Sequence, residues 1–166
     1  MLHHVSVGVA DVTRAGAFYD KVLGAIGYRR VMEVLPYAIG YGAAMPEFWI
    51  GMPGNQAPAS NGNGVHICFK AASKEAIQAF HREALGAGGT DEGAAGPRPD
   101  YGPDYYAAFV RDPDGNKLEA VLAPEKKAAA PKSKARAKTK VKAKAAKKAA
   151  RPAKKAKKAR KKARRR

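Results

Sequence analysis

Two histidines and one glutamate carry the strongest chemical signal in this chain. His4 lies in LHHVSVGV, His66 in GVHICFK and Glu119 in NKLEAVL. In an extended segment alternate residues point to opposite faces, so Val5, Val7 and Val9 share one face and Leu2, His4, Ser6 and Gly8 the other. By the same rule Val65, Ile67 and Phe69 oppose His66 and Cys68, and Glu119 opposes Leu118 and Ala120. If the apolar rows meet a core, His4, His66 and Glu119 are left on the concave sides of their sheets. Two imidazoles and a carboxylate form an N,N,O set that suits a borderline divalent ion and leaves positions open for water or substrate. The same residues also read as two partly exposed strand histidines and an edge carboxylate, because spacing alone does not make them converge.

An internal repeat supplies the elements that would position them. With the chain laid on itself at an offset of 62, His4 falls on His66, Val5 on Ile67, Val7 on Phe69, Phe18 on Phe80, Leu23 on Leu85, Gly24 on Gly86 and Gly27 on Gly89. Each copy runs from an alternating strand through a polar cap, Asp11 or Ser73, into a helix with a glycine-containing exit. The apolar positions Ala15, Phe18, Tyr19, Val22 and Leu23, and Ile77, Phe80, Ala84 and Leu85, recur at helical spacing and predict faces that pack on a sheet. Strand-like stretches follow around 28–35, 38–40 and 47–51 in the first copy, and around 105–110 and 117–122 in the second. The Gly-, Pro- and Asp-rich stretch 88–103 predicts one short strand and a long loop of the kind that often carries function. Asp112 to Gly115 is a turn signal ahead of the last strand. The expected fold is α+β, a tandem β-α-β-β-β in residues 1–125, with modules at about 1–52 and 64–123.

Charge separates this domain from the rest of the chain. Residues 1–125 hold 10 Lys or Arg and all 14 acids, a net charge of 10 − 14 = −4, whereas residues 126–166 hold 22 Lys or Arg and no acid. Val141 is the only apolar residue of the tail larger than alanine or proline, so the sequence predicts disorder there. Its Lys/Ala/Pro pattern resembles the basic tails of bacterial histone-like proteins and linker histones. Lys126, Lys127, Lys154, Lys155, Lys157, Lys158, Arg160, Lys161, Lys162, Arg164, Arg165 and Arg166 are the expected contacts to the phosphates of DNA, and of RNA, without regard to sequence. A solubilising or anionic-membrane-binding tail is the alternative, since lysine runs attract any polyanion. No segment is apolar enough to span a membrane and no export signal opens the chain, so a cytoplasmic, nucleoid-associated protein is expected. Cys68 is the sole cysteine, which rules out an internal disulfide framework and a thiolate cluster.

The segments HHVSVGVADVTRAGAFYDKVLGAIGY, GVHICF and YYAAFVRDPDGNKLEAV resemble the vicinal-oxygen-chelate superfamily, which contains glyoxalase I, bleomycin-resistance proteins and extradiol dioxygenases. The resemblance runs from Leu2 to about Leu122 and is nearest to a glyoxalase-like bacterial subgroup. It implies metal ligation by His4, His66 and Glu119. Where glyoxalase I has a fourth ligand, this chain has Trp49, which can be neither ligand nor base; Glu47 would serve only after a two-residue shift. The remaining trio is similar to the three-ligand arrangement of extradiol dioxygenases. Where the subgroup often has RPHYHPNYY, this chain has RPDYGPDYY, with Asp100 and Gly102 in place of two histidines. Arg98, Tyr101, Tyr105 and Tyr106 are candidate pocket residues together with Trp49. The implied function is binding of a divalent metal and a small oxygen-bearing ligand, with lyase or dioxygenase activity. A non-enzymatic sequestration protein of the bleomycin-resistance type and a nucleoid-associated structural protein are the other readings. A homodimer is expected, with the cavity closed either within a chain or between two.

Overall fold

The computed structural model describes residues 2–123; the basic tail falls outside the described residues. The first module comprises β1 (Val5–Gly8), α1 (Val12–Gly24), β2 (Arg29–Val34), β3 (Ala38–Gly42) and β4 (Phe48–Gly51). The second comprises β5 (His66–Ala71), α2 (Lys74–Gly86), β6 (Thr90–Pro97), β7 (Tyr106–Arg111) and β8 (Lys117–Leu122). The helices begin and end 62 residues apart, as the repeat predicts. Each starts where a side chain takes up a free backbone donor: Asp11 Oδ1 accepts from the Arg14 amide at 2.9 Å, and Ser73 Oγ from the Ala76 amide at 3.2 Å. Caps of this kind are worth about 1 kcal/mol each.

Duplication extends to the sheets, whose orders β1-β4-β3-β2 and β5-β8-β7-β6 are the same arrangement. The first strand of each module runs parallel to the last, and the other neighbours are antiparallel. Both sheets turn one face to the helices. Val9, Phe18, Tyr19, Leu23, Phe48 and Ile50 pack there with Phe69, Ile77, Phe80 and Leu118 in one continuous core. Phe48 of β4 meets Phe69 of β5 edge-on at 5.1 Å, so aromatic packing crosses from one module to the other.

Polar bonds fasten the same junction. Asn116 Nδ2 donates to the Gly8 carbonyl at 3.1 Å, and Asp114 Oδ1 accepts from Arg14 Nη2 at 2.7 Å and from the Ala10 amide at 3.1 Å. The turn that offers these groups needs Gly115 at φ +88°, a left-handed conformation that a side chain disfavours. An added Cβ would also come 2.6 Å from Asn61 Nδ2, which donates to the Gly115 carbonyl at 2.8 Å.

Several details differ from the sequence reading, among them Val65, which lies just ahead of β5 and is exposed rather than in the core row with Phe69. Leu85 is 41% exposed, because Ile77, Phe80 and Ala84 already fill the buried stripe of α2 and its next residue is turned to the flank. The strand expected to be short is the eight-residue β6, which pairs with β7 through register shifts at Asp91/Gly93 and Gly93/Gly96. Glycines admit these irregularities, which composition alone registers as loop.

Candidate functional site

The clearest constellation of reactive groups lies on the face of the second sheet turned away from the helices. Parallel pairing of β5 with β8 sets His66 opposite Lys117 and Cys68 opposite Glu119, and antiparallel pairing sets Phe109 of β7 opposite Glu119. Glu119 is only 2% exposed, an unusual position for a carboxylate without partners. It has two: the Tyr105 hydroxyl donates to Oε1 at 2.6 Å, and His66 Nε2 lies 3.2 Å from Oε2. The hydrogen bond to Glu119, reinforced by burial, lifts the Tyr105 hydroxyl well above the ordinary phenol range and keeps it a donor at neutral pH. Cys68 is open to solvent on one side, yet burial of its thiol and the neighbouring carboxylate push it up to about 12. That thiol is protonated and unreactive at neutral pH.

Above Glu119 opens a cleft of about 850 Å³, bordered by Asn61, His66, Tyr101, Tyr105, Phe109, Arg111 and Lys117. Tyr101 stands edge-on to Tyr105 at 5.2 Å and extends the aromatic wall. Arg98, expected in the pocket, is not among the residues that border this cleft: its guanidinium donates to the carbonyls of Ala94 at 2.7 Å and Pro97 at 3.1 Å and sits 5.5 Å from the centre of the Phe109 ring. Tyr106 points elsewhere. Its hydroxyl accepts from Gln78 Nε2 of α2 at 3.2 Å and Lys74 lies over its ring, because consecutive residues entering a strand face opposite sides. Tyr105 and Tyr106 therefore cannot both line the cleft.

Trp49 is the counterpart of Glu119 in the first module: it pairs with Ser6 as Glu119 pairs with Cys68. It borders a separate cleft of about 450 Å³ with Ser6, Tyr37 and Met52, so the pocket residues inferred from sequence are divided between two sheets. His4 lines a third cleft, of about 600 Å³, with Tyr28, Glu47 and Cys68, and His66 forms a wall of this cleft as well as of the one above Glu119. The His4 ring nitrogen Nδ1 lies 2.8 Å from Nδ1 of His3.

These positions decide how far the chain's donors suit a metal. Donors at about 2.1 Å from a tetrahedral or octahedral ion stand about 3.0 to 3.4 Å apart. The 3.2 Å between His66 Nε2 and Glu119 Oε2 meets that condition and is equally a direct hydrogen bond. No third donor joins them, since among the described residues no group of three His, Cys, Asp or Glu side chains is close enough to share an ion. The pair supplies two of the three protein donors usual at such a site, and His4 does not complete the set. Sequence reading missed Asn61, Phe109, Arg111 and Lys117. Parity contained the signal for the last three, because 109 and 111 alternate in step along β7 and 117 with 119 along β8.

Comparison with known proteins agrees with this architecture. The model of the Glyoxalase/Bleomycin resistance protein/Dioxygenase superfamily matches residues 1–120. A glyoxalase/bleomycin resistance protein from Albidiferax ferrireducens T118 is 39% identical, with 75% of this chain and 99% of that one covered and a TM-score of 0.65. A glyoxalase-related enzyme from Fulvimarina pelagi is 19% identical over 74% of this chain and 88% of its own, at a TM-score of 0.58. A lactoylglutathione lyase from Agrobacterium tumefaciens is 21% identical over 74% and 93%, at 0.52. The last two likenesses concern the fold alone. Among curated protein sequences, none matches the chain.

Proposed function

This chain belongs to the Glyoxalase/Bleomycin resistance protein/Dioxygenase superfamily, and we propose that its second sheet binds a small oxygen-bearing molecule in the cleft above Glu119. The observation that carries this reading is a buried carboxylate with one oxygen fixed by Tyr105 and the other turned to His66, at the floor of a cleft large enough for a metabolite. A hydroxyl of the ligand donates to Glu119 Oε2, where the contact to His66 is long enough to yield. Tyr105 holds the opposite oxygen and fixes the plane of the carboxylate. The imidazole of His66, its side chain 47% exposed, turns with the ligand and offers a second polar contact.

His66 and Glu119 are also the residues that would hold the divalent ion common in this superfamily. Such an ion would act as a Lewis acid on the ligand's oxygen. The chain's own part is to set the two donors, to keep Glu119 away from bulk water and to orient the ligand.

Residues 126–166 add a tether in this proposal. Their 22 cationic side chains in 41 residues would follow a phosphate backbone and hold the domain on DNA irrespective of sequence.

The cleft reading is tested by titrating the full chain with a neutral phenol, 4-hydroxybenzyl alcohol, and following backbone amide shifts. The perturbed amides should centre on His66, Tyr105 and Glu119, and His66→Ala should weaken the interaction several-fold. Shifts that centre on Trp49 would place ligand binding on the first sheet and refute the proposal.

A further inference from the structure

Two cations stand on the same face as Glu119, and neither touches its carboxylate. Lys117 precedes Glu119 by two residues on β8, and Arg111 is the register partner of Lys117 on β7. Successive same-face residues of a strand are about 7 Å apart. The cleft therefore has an acceptor end at Glu119 and a cationic end one same-face step along β8, with Phe109 beside Glu119 on the neighbouring strand. Lys117 Nζ sits 5.4 Å from the centre of that ring, so the cation and the apolar floor adjoin directly.

The cationic end is only half neutralised. Among the described residues Glu92 is the one carboxylate paired with both groups: it accepts from Arg111 Nε at 2.7 Å and lies 3.3 Å from Lys117 Nζ. Arg111 also donates through Nη1 to the Gly115 carbonyl at 2.8 Å. Among the described residues two positive charges thus meet one negative, and both cations are partly open to the cleft, with 36% and 32% of their side chains exposed. A free positive charge beside an aromatic floor attracts an anion that carries a ring.

We propose that the ligand of this cleft is a small aromatic hydroxy acid, with its anionic group at Lys117 and Arg111, its ring on Phe109 and its hydroxyl at Glu119. The inference rests on the cleft reading under Proposed function and adds the chemical class. Charge sets the ligand's direction, since the reverse placement would bring its anionic group against the Glu119 carboxylate.

The experiment compares three probes on the full chain at low salt: 4-hydroxybenzoate, the neutral 4-hydroxybenzyl alcohol, and benzoate, which lacks the hydroxyl. Binding is read from the amides of Tyr105, Phe109 and Glu119, so association of acids with the basic tail does not enter the measurement. 4-Hydroxybenzoate should bind on the order of tenfold more tightly than either of the others, the gain expected of a charge-assisted contact. Lys117→Gln should reduce it to the level of the neutral alcohol. Glu92→Gln removes the competing carboxylate and should strengthen binding of the acid several-fold while leaving the alcohol unchanged, a gain that a misfolded variant does not produce. Equal affinities for acid and alcohol at these amides would overturn the anionic class and leave the cleft reading intact. No shift at these amides with any probe would overturn both, and an acid affinity indifferent to Glu92→Gln and Lys117→Gln would remove the two cations from the site.

Discussion

Replacing Tyr19 by Phe takes one hydroxyl from the best-connected polar group in the core, and the cost can be worked from its neighbours. Tyr19 is fully buried and donates to Asp112 Oδ2 at 2.6 Å. Asp112, 3% exposed, also accepts from the amides of Asp114 at 3.0 Å and Asn116 at 2.7 Å, and from Asn116 Nδ2 at 2.9 Å. Burial, followed by the negative charge of Asp112, raises the Tyr19 hydroxyl well above the ordinary phenol range, so it stays a donor throughout the neutral range. Loss of one hydrogen bond to a buried charge costs about 1.5 to 3 kcal/mol. Three donors remain to Asp112 in the variant, so the carboxylate stays satisfied and the cost should not exceed this range. Asp112→Ala should cost more, about 3 to 5 kcal/mol, because it leaves the Tyr19 hydroxyl and the Asn116 amide groups without their acceptor. At about 4 °C per kcal/mol for a domain of this size, Tyr19→Phe should lower Tm by about 6 to 12 °C. Urea denaturation of the full chain followed by tryptophan fluorescence measures both variants, and the double mutant isolates their coupling. A loss below about 0.5 kcal/mol for Tyr19→Phe, or an Asp112→Ala variant no less stable than Tyr19→Phe, would refute the claim that this network fastens the two modules.

Cys68 should resist iodoacetamide at pH 8 in the folded chain, with its rate rising only toward pH 12, and Glu119→Gln should move that rise to lower pH; a normal thiol rate at pH 8 would remove the carboxylate's influence. Because its folded value lies above the ordinary 9, the protonated thiol's contribution to stability is complete below about pH 9 and is lost as pH rises toward 12, so urea midpoints should fall through that window. Metal analysis of the chain purified without an affinity tag should show occupancy that His66→Ala and Glu119→Ala each abolish, and Tyr105→Phe should weaken metal affinity by about 10- to 100-fold. Retention of the ion in the two alanine variants would move the metal elsewhere. Removal of residues 126–166 should abolish binding to unrelated duplex DNAs, and affinity of the full chain should fall with salt by about 0.9 log units per log unit for each phosphate neutralised; equal affinity of the two lengths would defeat the tether.

Much of the fold was legible because it is written twice. The offset that aligns His4 with His66 also fixes both helices, and Asp11 and Ser73 cap them as their residue types require. The turn signal at Asp112 to Gly115 was local, and so is its structure. Parity of the strands separated core from cleft for Phe69, Leu118 and Glu119. It did not say how the modules face one another, which depends on Phe48 meeting Phe69 and on Asn116 reaching Gly8, contacts between residues far apart in sequence. For that reason the spacing of His4, His66 and Glu119 did not show which of them touch. Tyr106 carried no sign of its direction until the start of β7 was fixed, because a one-residue change of phase exchanges the faces of a strand.

The duplicated sheets differ most where Trp49 of the first takes the place of Glu119 of the second. Register makes Gly40 of β3, opposite Trp49, the counterpart of Phe109, opposite Glu119. A Cβ at Gly40 would stand 2.8 Å from Pro46 and 3.1 Å from the Trp49 ring, so the indole lies directly on the backbone of its own sheet. In the first module one large side chain thus occupies the space above the strands, over a residue that has none. In the second, the position of the indole holds a shorter carboxylate, tied down to Tyr105 and His66, and the ring sits one strand away on β7. The exchange lowers the floor at Glu119 and leaves open space over it, where the first module has apolar surface. Two copies of one β-α-β-β-β unit have in this way acquired different faces, and the second carries a buried carboxylate and, among the described residues, two cations against one further carboxylate at the wall of its cleft.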